Sequence, residues 1–395
     1  MNDRDSRRGE VVLVSRSADR DGHEYRTQAS LARRIADLIG FEFAREADAP
    51  ARVPRYVVPD QTLATFEASA LGIRAESDLF GGFVPHRFMA TKVITHPLVA
   101  DDAARPHGWP ATLGEALRGI TLRGYAAFSV RDVRTAIARL ARDAGPIRVK
   151  LAEACGGTGQ FLVQDADAAD ALAPRLDEAE LAACGVVVEE DLRGATTYSV
   201  GWVNLRGAAI AYCGIQRTVV NRAGERVYGG SDLLVVRGGI DRLLARALER
   251  DLATAIRSAV EYDRLVTHAT GVCASRRNYD VLRGEDARGH ERIGVLEQSW
   301  RLGGGSGAEI AALEAFARDP RMTAIRASTF ESYADDPPPA GATVYFHDRE
   351  ATRGPTSKYS VVEPFDDPGP MRGALREARI EPVRDRFSID KVGPR

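Results

Sequence analysis

The sequence predicts an α/β fold that opens with a small parallel unit and continues into longer strand pairs. Two observations lead there. Strand-like and helix-like runs alternate through the first hundred or so residues, the pattern of a parallel sheet with crossover helices. Further on, apolar strands come in neighbouring pairs joined by short polar turns. With 395 residues, 44% of them hydrophobic, the chain has apolar surface enough for two or three packed units.

Val11-Val12-Leu13-Val14 reads as a short buried strand, and Arg26 to Ile39 carries Leu31, Ile35, Leu38 and Ile39 at helical spacing. Tyr56-Val57-Val58 is a second strand, ended by Pro59-Asp60 and followed by a helix expected from Thr62 to Leu71. Ser129-Val130-Arg131-Asp132 is a capping signature opening a helix with Val133, Ile137 and Leu140 on one face, ended by Gly145-Pro146. Val186-Val187-Val188 runs into the acidic turn Glu189-Glu190-Asp191-Leu192-Arg193-Gly194. Tyr198 to Asn204 and Ala208 to Gly214 form a hairpin around Arg206-Gly207, and one long helix is expected from Ile240 to Leu265. Two more strands, Asn278 to Leu282 and Ile293 to Ser299, flank the turn Gly284 to Glu291. From Asp335 on, the chain is rich in Pro, Gly and charge, and its last thirty residues read as a loosely packed tail.

Composition narrows the function. A net charge of −2 argues against a nucleic-acid partner, which would call for a strongly basic face, and makes a small ligand the default. Cys155, Cys184, Cys213 and Cys273 form no Cys-x-x-Cys pair and have no histidine at zinc spacing, so they read as reduced structural thiols. Met1 to Glu10 is polar, and no apolar run reaches the ~20 residues a membrane span needs. The expectation is a cytoplasmic protein with no membrane partner, and a homodimer is compatible with it.

The 54 lysines and arginines include only four lysines, Lys92, Lys150, Lys358 and Lys391. Lys150 ends the strand Ile147-Arg148-Val149-Lys150, ahead of Gly156-Gly157-Thr158-Gly159 and the strand-like Gln160-Phe161-Leu162-Val163. An ammonium on a flexible stem reaches between phosphate oxygens as a point charge, a task the planar guanidinium does not share. The loop is not a dinucleotide fingerprint, because Leu162 holds the third glycine position and a strand follows. Nor does it end in the Gly-Lys-Ser/Thr of a P-loop. Glycines between two strands suit a flap whose amides close over phosphates, although an ordinary hairpin turn fits the same four residues.

Downstream, Asp280 and Glu297 lie on the two last predicted strands. If these pair, both carboxylates face one side, and Mg²⁺ typically takes one or two carboxylates plus substrate phosphates. Ser299 and Arg301 follow Glu297 at two-residue spacing, on the same face. A solvated strand end explains any one of these acids, but the ordered set resists that explanation.

In this order the motifs resemble the ATP-grasp superfamily, over about Lys92 to Glu314. More narrowly, Asp78-Leu79-Phe80-Gly81-Gly82, Thr95-His96-Pro97-Leu98, Val227-Tyr228-Gly229-Gly230-Ser231-Asp232-Leu233, Ser275-Arg276-Arg277-Asn278-Tyr279-Asp280 and Gly294-Val295-Leu296-Glu297-Gln298-Ser299-Trp300-Arg301 resemble the bacterial family called domain of unknown function 3182. The resemblance implies a small parallel α/β domain over residues 1–125 and a two-lobed α+β ATP-grasp domain over 126–335. The latter divides into a glycine-flap lobe (146–192) and a metal-site lobe (193–335), with a C-terminal extension at 336–395.

Carried over by position, the resemblance puts Lys150 and, upstream, Lys92 on the phosphates of ATP, with Gly156, Gly157, Thr158 and Gly159 as the flap. It makes Glu189, Glu190, Asp191 and Leu192 the hinge that recognises adenine. Asp280, Glu297 and Ser299 would hold Mg²⁺ or Mn²⁺, and Arg301 would face the phosphate or acceptor. Three positions depart from the superfamily: Ser299 stands where Glu-x-Asn has its amide, Thr196 or Thr197 where an acidic ribose contact is common, and Asn278 where some ligases have an arginine. Arg276, Arg277 and Arg217 are the candidates to replace that arginine, and with Arg237 to clamp an anionic acceptor. His86 and His96 flank Lys92 as acid/base or structural residues, and Trp300 reads as core.

The activity implied is that of an ADP-forming ligase. A substrate carboxylate is activated by ATP as an acyl phosphate and captured by an amine or other small-molecule nucleophile. Phosphoryl transfer without ligation, and an ATP-binding regulatory or scaffold protein, are the alternative readings.

Overall fold

The computed structural model describes residues 9–44, 53–142, 145–154, 159–164, 167–246, 248–348 and 354–365. The predicted flap residues Gly156, Gly157 and Thr158, with Cys155, lie outside them.

Strands β1 (Glu10–Val14), β2 (Glu42–Ala44) and β3 (Arg55–Pro59) form a parallel sheet in the order β2-β1-β3, as the alternation of elements predicts. The helix His23–Ile39 crosses from β1 to β2 and ends at Gly40, whose φ of 70° is the left-handed cap glycine tolerates. Its stripe of Leu31, Ala32 and Ile35 is buried. Beyond it, β4 (Leu63–Ala64) pairs in parallel with β5 (Gly82–Val84). The helix expected from Thr62 is therefore only Thr65–Ala70, because Leu63 and Ala64 spend their backbone groups on β5 first.

A second sheet is antiparallel, with β6 (Gly124–Ala127), β7 (Ile147–Leu151), β8 (Gln160–Val163) and β9 (Val186–Glu190) in the order β6-β9-β7-β8. Ser129 caps the helix Val130–Ala141 by accepting the Asp132 amide at 3.1 Å. Val133, Ile137 and Leu140 of that helix pack on Val149, Val186 and Val188. Strand alternation then turns Lys150, Val187 and Glu189 to the opposite face.

The third sheet has eight strands. They are β10 (Arg193–Leu205), β11 (Ala208–Val220), β12 (Arg226–Arg237), β14 (Arg276–Glu285), β15 (Glu291–Ser299), β16 (Ala324–Ser332), β17 (Thr343–His347) and β18 (Ser357–Pro364), while β13 (Cys273–Ala274) pairs with β5. The order is β15-β14-β10-β11-β12-β16-β18-β17. Arg206 and Gly207, with φ of 49° and 97°, make the predicted two-residue hairpin turn between β10 and β11. β17 and β18 fall in the stretch read as a C-terminal extension, where the structure instead continues the sheet through β18 paired with β16. The long helix expected from Ile240 is two, Ile240–Leu244 and Arg250–Thr270, because Glu249 is extended at φ −57° and ψ 148°. Among the described residues no helix is long and apolar enough to cross a membrane.

Both faces of the large sheet are covered. Tyr198, Val200, Cys213, Ile215, Tyr279 and Val281 pack on Leu252, Ile256, Ala259 and Tyr262 of the helix Arg250–Thr270. On the other face Val203, Ile210, Tyr212, Val235 and Ala327 meet the helices His23–Ile39 and Ser306–Arg318 through Leu31, Ile35, Ile310 and Phe316. Asp280 and Ser199 lie on this second face by alternation, just past the end of its apolar cover.

Candidate functional site

Asp280 and Glu297 face each other directly in the β14–β15 ladder. Asp280 Oδ1 accepts from Asn278 Nδ2 at 2.9 Å and from Ser199 Oγ at 3.3 Å, and Gln216 Nε2 donates to Ser199 Oγ at 3.2 Å. Burial and then the Glu297 carboxylate push the Asp280 pKa up to about 6, against the hydrogen bonds from Gln216, Asn278 and Ser199. Two carboxylates are thus held side by side with their repulsion incompletely offset.

Lys92 supplies the nearest cation. Its Nζ lies 3.0 Å from Glu297 Oε2, and it also donates to the carbonyls of Ala154 at 2.5 Å and Ala152 at 3.5 Å, at the foot of the glycine loop. The ammonium therefore joins the large sheet to the second sheet. Gly159, at φ 60°, starts the return strand from that loop.

Lys150, also buried, pairs with Glu189 Oε1, and the other oxygen of Glu189 lies 3.1 Å from His96 Nε2. Burial works to raise the Glu189 pKa, but Lys150 and His96 outweigh it and hold the carboxyl down at about 2. The rest of the acidic turn is braced by arginines. Glu190 accepts from the backbone and guanidinium of Arg123 at 2.8 to 3.0 Å, and Asp191 pairs with Arg148 at 2.7 Å. Leu192 is buried, and Thr197 shares the Ser199 face two residues earlier along β10.

The arginines divide by strand parity. Arg276 lies on the Asp280 face, pairs with buried Glu309 at 2.7 Å, and donates to the carbonyls of Ser299 (3.1 Å) and Arg301 (2.6 Å) and to Ser299 Oγ (3.2 Å). Tyr212 donates to the same Glu309 at 2.6 Å and lies 2.9 Å from Asn278 Oδ1, so one buried network carries both Asn278 and Ser299. Arg277 is one residue out of phase. It leaves by the other face to Asp263 at 2.6 Å and Thr267, away from the carboxylates. Arg217, out of phase with Gln216, likewise pairs with Asp232, donates to the Thr329 carbonyl and covers the Phe330 ring. Neither is paired with Asp280 or Glu297 among the described residues, and Arg237 is held by the carbonyls of Phe316, Asp319 and Met322. Arg301 lies beyond the end of β15, donating to the Leu302 carbonyl at 2.6 Å, and both its guanidinium and that of Arg276 come within 4 Å of the place a Cβ on Gly303 would take.

Trp300 is fully buried, His86 stacks on Phe88, and Cys184, Cys213 and Cys273 are free thiols. Among the described residues no group of three or more His, Cys, Asp or Glu side chains is placed to hold a metal, so the carboxylates available are a pair. Sequence reasoning missed Ser199, Gln216, Tyr212 and Glu309. The first three need the register of β10, β11 and β14. Glu309, alone among alanines and aliphatics in Ser306–Ala312, was the one with a local signal.

A family model described as Protein of unknown function (DUF3182) matches residues 11–360. The chain belongs to that family. No curated protein matches it significantly in sequence. Among solved structures, this DUF3182 member is similar to the biotin carboxylase domain of the 2-oxoglutarate carboxylase of Hydrogenobacter thermophilus, solved with MgADP, ADP and bicarbonate. The two are 11% identical with a TM-score of 0.52, over 90% of this chain and 86% of that one. It is also similar to a biotin carboxylase from Campylobacter jejuni in a β,γ-ATP complex, at 10% identity and a TM-score of 0.50, over 90% and 87% of the two chains. The DUF3182 chain has the ATP-grasp fold.

Proposed function

We propose that this protein is an ATP- and Mg²⁺-dependent ligase of the ATP-grasp type, which activates a substrate carboxylate and passes it to an amine or similar nucleophile. The observation that carries this reading is the position of Lys92. Its ammonium bridges Glu297 and the foot of the glycine loop, so the two sheets meet around a cation at the mouth of the Asp280–Glu297 pair. A polyphosphate is the kind of ligand that would take over such a charge, with Lys150 as the second lysine on the facing sheet.

The acidic pair fits a divalent cation. Two adjacent carboxylates, one with its pKa pushed up by burial and by the other, gain when a hard cation relieves the repulsion. Asp280 and Glu297 would hold Mg²⁺, and a bound Mg²⁺ supplies charge neutralisation on a transferring phosphoryl group. The chain's own residues do the rest. Lys92 and Lys150 exchange Glu297 and Glu189 for phosphate oxygens, the acidic turn up to Leu192 receives the adenine, and Arg301 faces the acceptor. The substrate carboxylate oxygen attacks the γ-phosphorus as ADP leaves. The amine then attacks the acyl carbon, phosphate leaves, and the amine gives up a proton.

The test is calorimetry with Mg·ATP, then turnover with pools of carboxylates and amines and separation of ADP, AMP and phosphate. ADP and phosphate appearing only with both an acid and an amine is the expected result. Undiminished binding and turnover in both Lys150→Ala and Glu297→Ala would rule out the site. A second reading, an ATP-binding protein without turnover, draws on Ser299, whose hydroxyl is already engaged by Arg276. Tight binding with no turnover in any pool would select it.

A further inference from the structure

Thr95-His96-Pro97 leaves one feature that phosphate binding does not use, the buried contact of His96 with Glu189. Lys92 to Thr95 form a short 3-10 turn, so Lys92 and His96 stand at its two ends. The turn is fastened to the metal-site strand. Gln298 donates to the carbonyls of Thr91 at 2.7 Å and Met89 at 3.3 Å, and the Thr95 hydroxyl lies 3.2 Å from that of Tyr262 and 3.4 Å from the Leu296 carbonyl. One end of the turn delivers an ammonium to Glu297 and the other an imidazole to Glu189.

The place for the imidazole is built. Gly124 is the residue directly across the ladder from Glu189, on the same face. A Cβ there would lie 2.8 Å from His96 Cε1 and 2.9 Å from Nδ1, so the ring fills the space a side chain would take. His96 is 1% exposed, and Nδ1 is buried without a partner. Its one polar contact is therefore Nε2 against the Glu189 carboxylate, which can only accept, so Nε2–H is the donor.

We infer that His96 is a positioning residue that retains Glu189 in place when Lys150 turns from Glu189 to a phosphate. Glu189 has Lys150 on one oxygen and His96 on the other. If Lys150 were its sole partner, release would strand a carboxylate in a buried site, and the lysine would stay locked in its ion pair. With Nε2–H retained, Glu189 keeps a donor while Lys150 is lent to the ligand. The fixed carboxylate also stays at the start of the acidic turn, whose next residues are held independently by Arg123 and Arg148.

This inference rests on the nucleotide reading, and calorimetry with Mg·ATP separates the two. Wild-type protein binds ATP, His96→Leu weakens binding by about tenfold or more, and His96→Gln, whose amide keeps a donor, stays within about threefold of wild type. In a Glu189→Gln background, where no charge is left to strand, His96→Leu changes affinity little, a non-additivity that general loosening of the fold would not produce. If His96→Leu melts without cooperativity, Gly124→Ala gives the same readout by displacing the ring while keeping it. Wild-type binding with undiminished affinity in a folded His96→Leu protein, or the same loss in the Glu189→Gln background, overturns the inference. Absence of wild-type binding removes the nucleotide reading itself.

Discussion

Asp280 and Glu297 stand directly opposite each other on adjacent antiparallel strands, with Lys92 on Glu297 and only neutral donors on Asp280. Burial and the Glu297 charge raise the Asp280 pKa from 3.8 to about 6. Between those two values the native state binds more protons than the unfolded chain, so stability falls as pH rises, and above about 6 the loss is complete.

Asp280→Asn therefore stabilises the fold at pH 7.5, by about 2 kcal/mol once screening is allowed for, and does little at pH 3.5, where the wild-type carboxyl is mostly protonated in both states. Urea unfolding at the two pH values measures this. Mg²⁺ alone should raise the wild-type midpoint at pH 7.5 and leave that of the variant unmoved. Equal stabilisation at both pH values would mean that charge is not the cause.

The Arg276–Glu309 pair is fully enclosed and holds the backbone of Ser299 and Arg301. Glu309→Ala leaves a buried guanidinium unpaired and costs about 3–5 kcal/mol. Replacing both partners with apolar residues, Arg276→Met with Glu309→Leu, restores much of that, since desolvation of the pair is removed with it. Turnover does not return in the double variant, because nothing then fixes Ser299 and Arg301. Equilibrium unfolding and the ligase assay on the same preparations separate the two effects.

Arg277 and Arg301 make a matched contrast. Arg277 is tied to Asp263 on the face away from Asp280, whereas Arg301 follows Glu297 and lies beside Gly303. Arg277→Ala should bind Mg·ATP as wild type does, at a modest cost in stability from the broken pair. Arg301→Ala should bind ATP and lose turnover by about two orders of magnitude, the usual cost of removing one donor to developing charge. Comparable turnover in the two variants would mean that Arg301 has no role at the acceptor.

How much of this was legible depended on the range of the physics involved. Lys150 and the Asp280–Glu297 pair could be read because a rare residue type, strand alternation and one short turn suffice to place them. The arginines could not. Arg276 and Arg277 are neighbours of the same type, and which of them joins the carboxylates depends on which face of β14 the helix Arg250–Thr270 covers. Ser199 reaches Asp280 only through pairing of strands 81 residues apart in sequence. β17 and β18 were hidden by Pro, Gly and charge around them, although Thr343-Val344-Tyr345-Phe346 and Tyr359-Ser360-Val361-Val362 have strand composition.

Lys92 provides the sharpest test of how the two sheets are joined. Its ammonium neutralises Glu297 and also donates to the carbonyls at the foot of the loop, so in the free protein it acts as a buried tie as well as a counter-ion. Lys92→Met removes both roles. Glu297 then faces Asp280 without a cation, which should lower the unfolding midpoint and, at neutral pH, increase the stabilisation gained from Mg²⁺, since the metal is left as the only counter-charge. Affinity for ATP should fall even when Mg²⁺ is saturating, because a metal on the carboxylates does not replace a lysine on the phosphates. The double variant Lys92→Met with Glu297→Gln recovers stability and not nucleotide affinity. Thermal melts with and without Mg²⁺, beside calorimetry with Mg·ATP, give both readings, and recovery of ATP affinity in the double variant would show that Lys92 serves Glu297 alone.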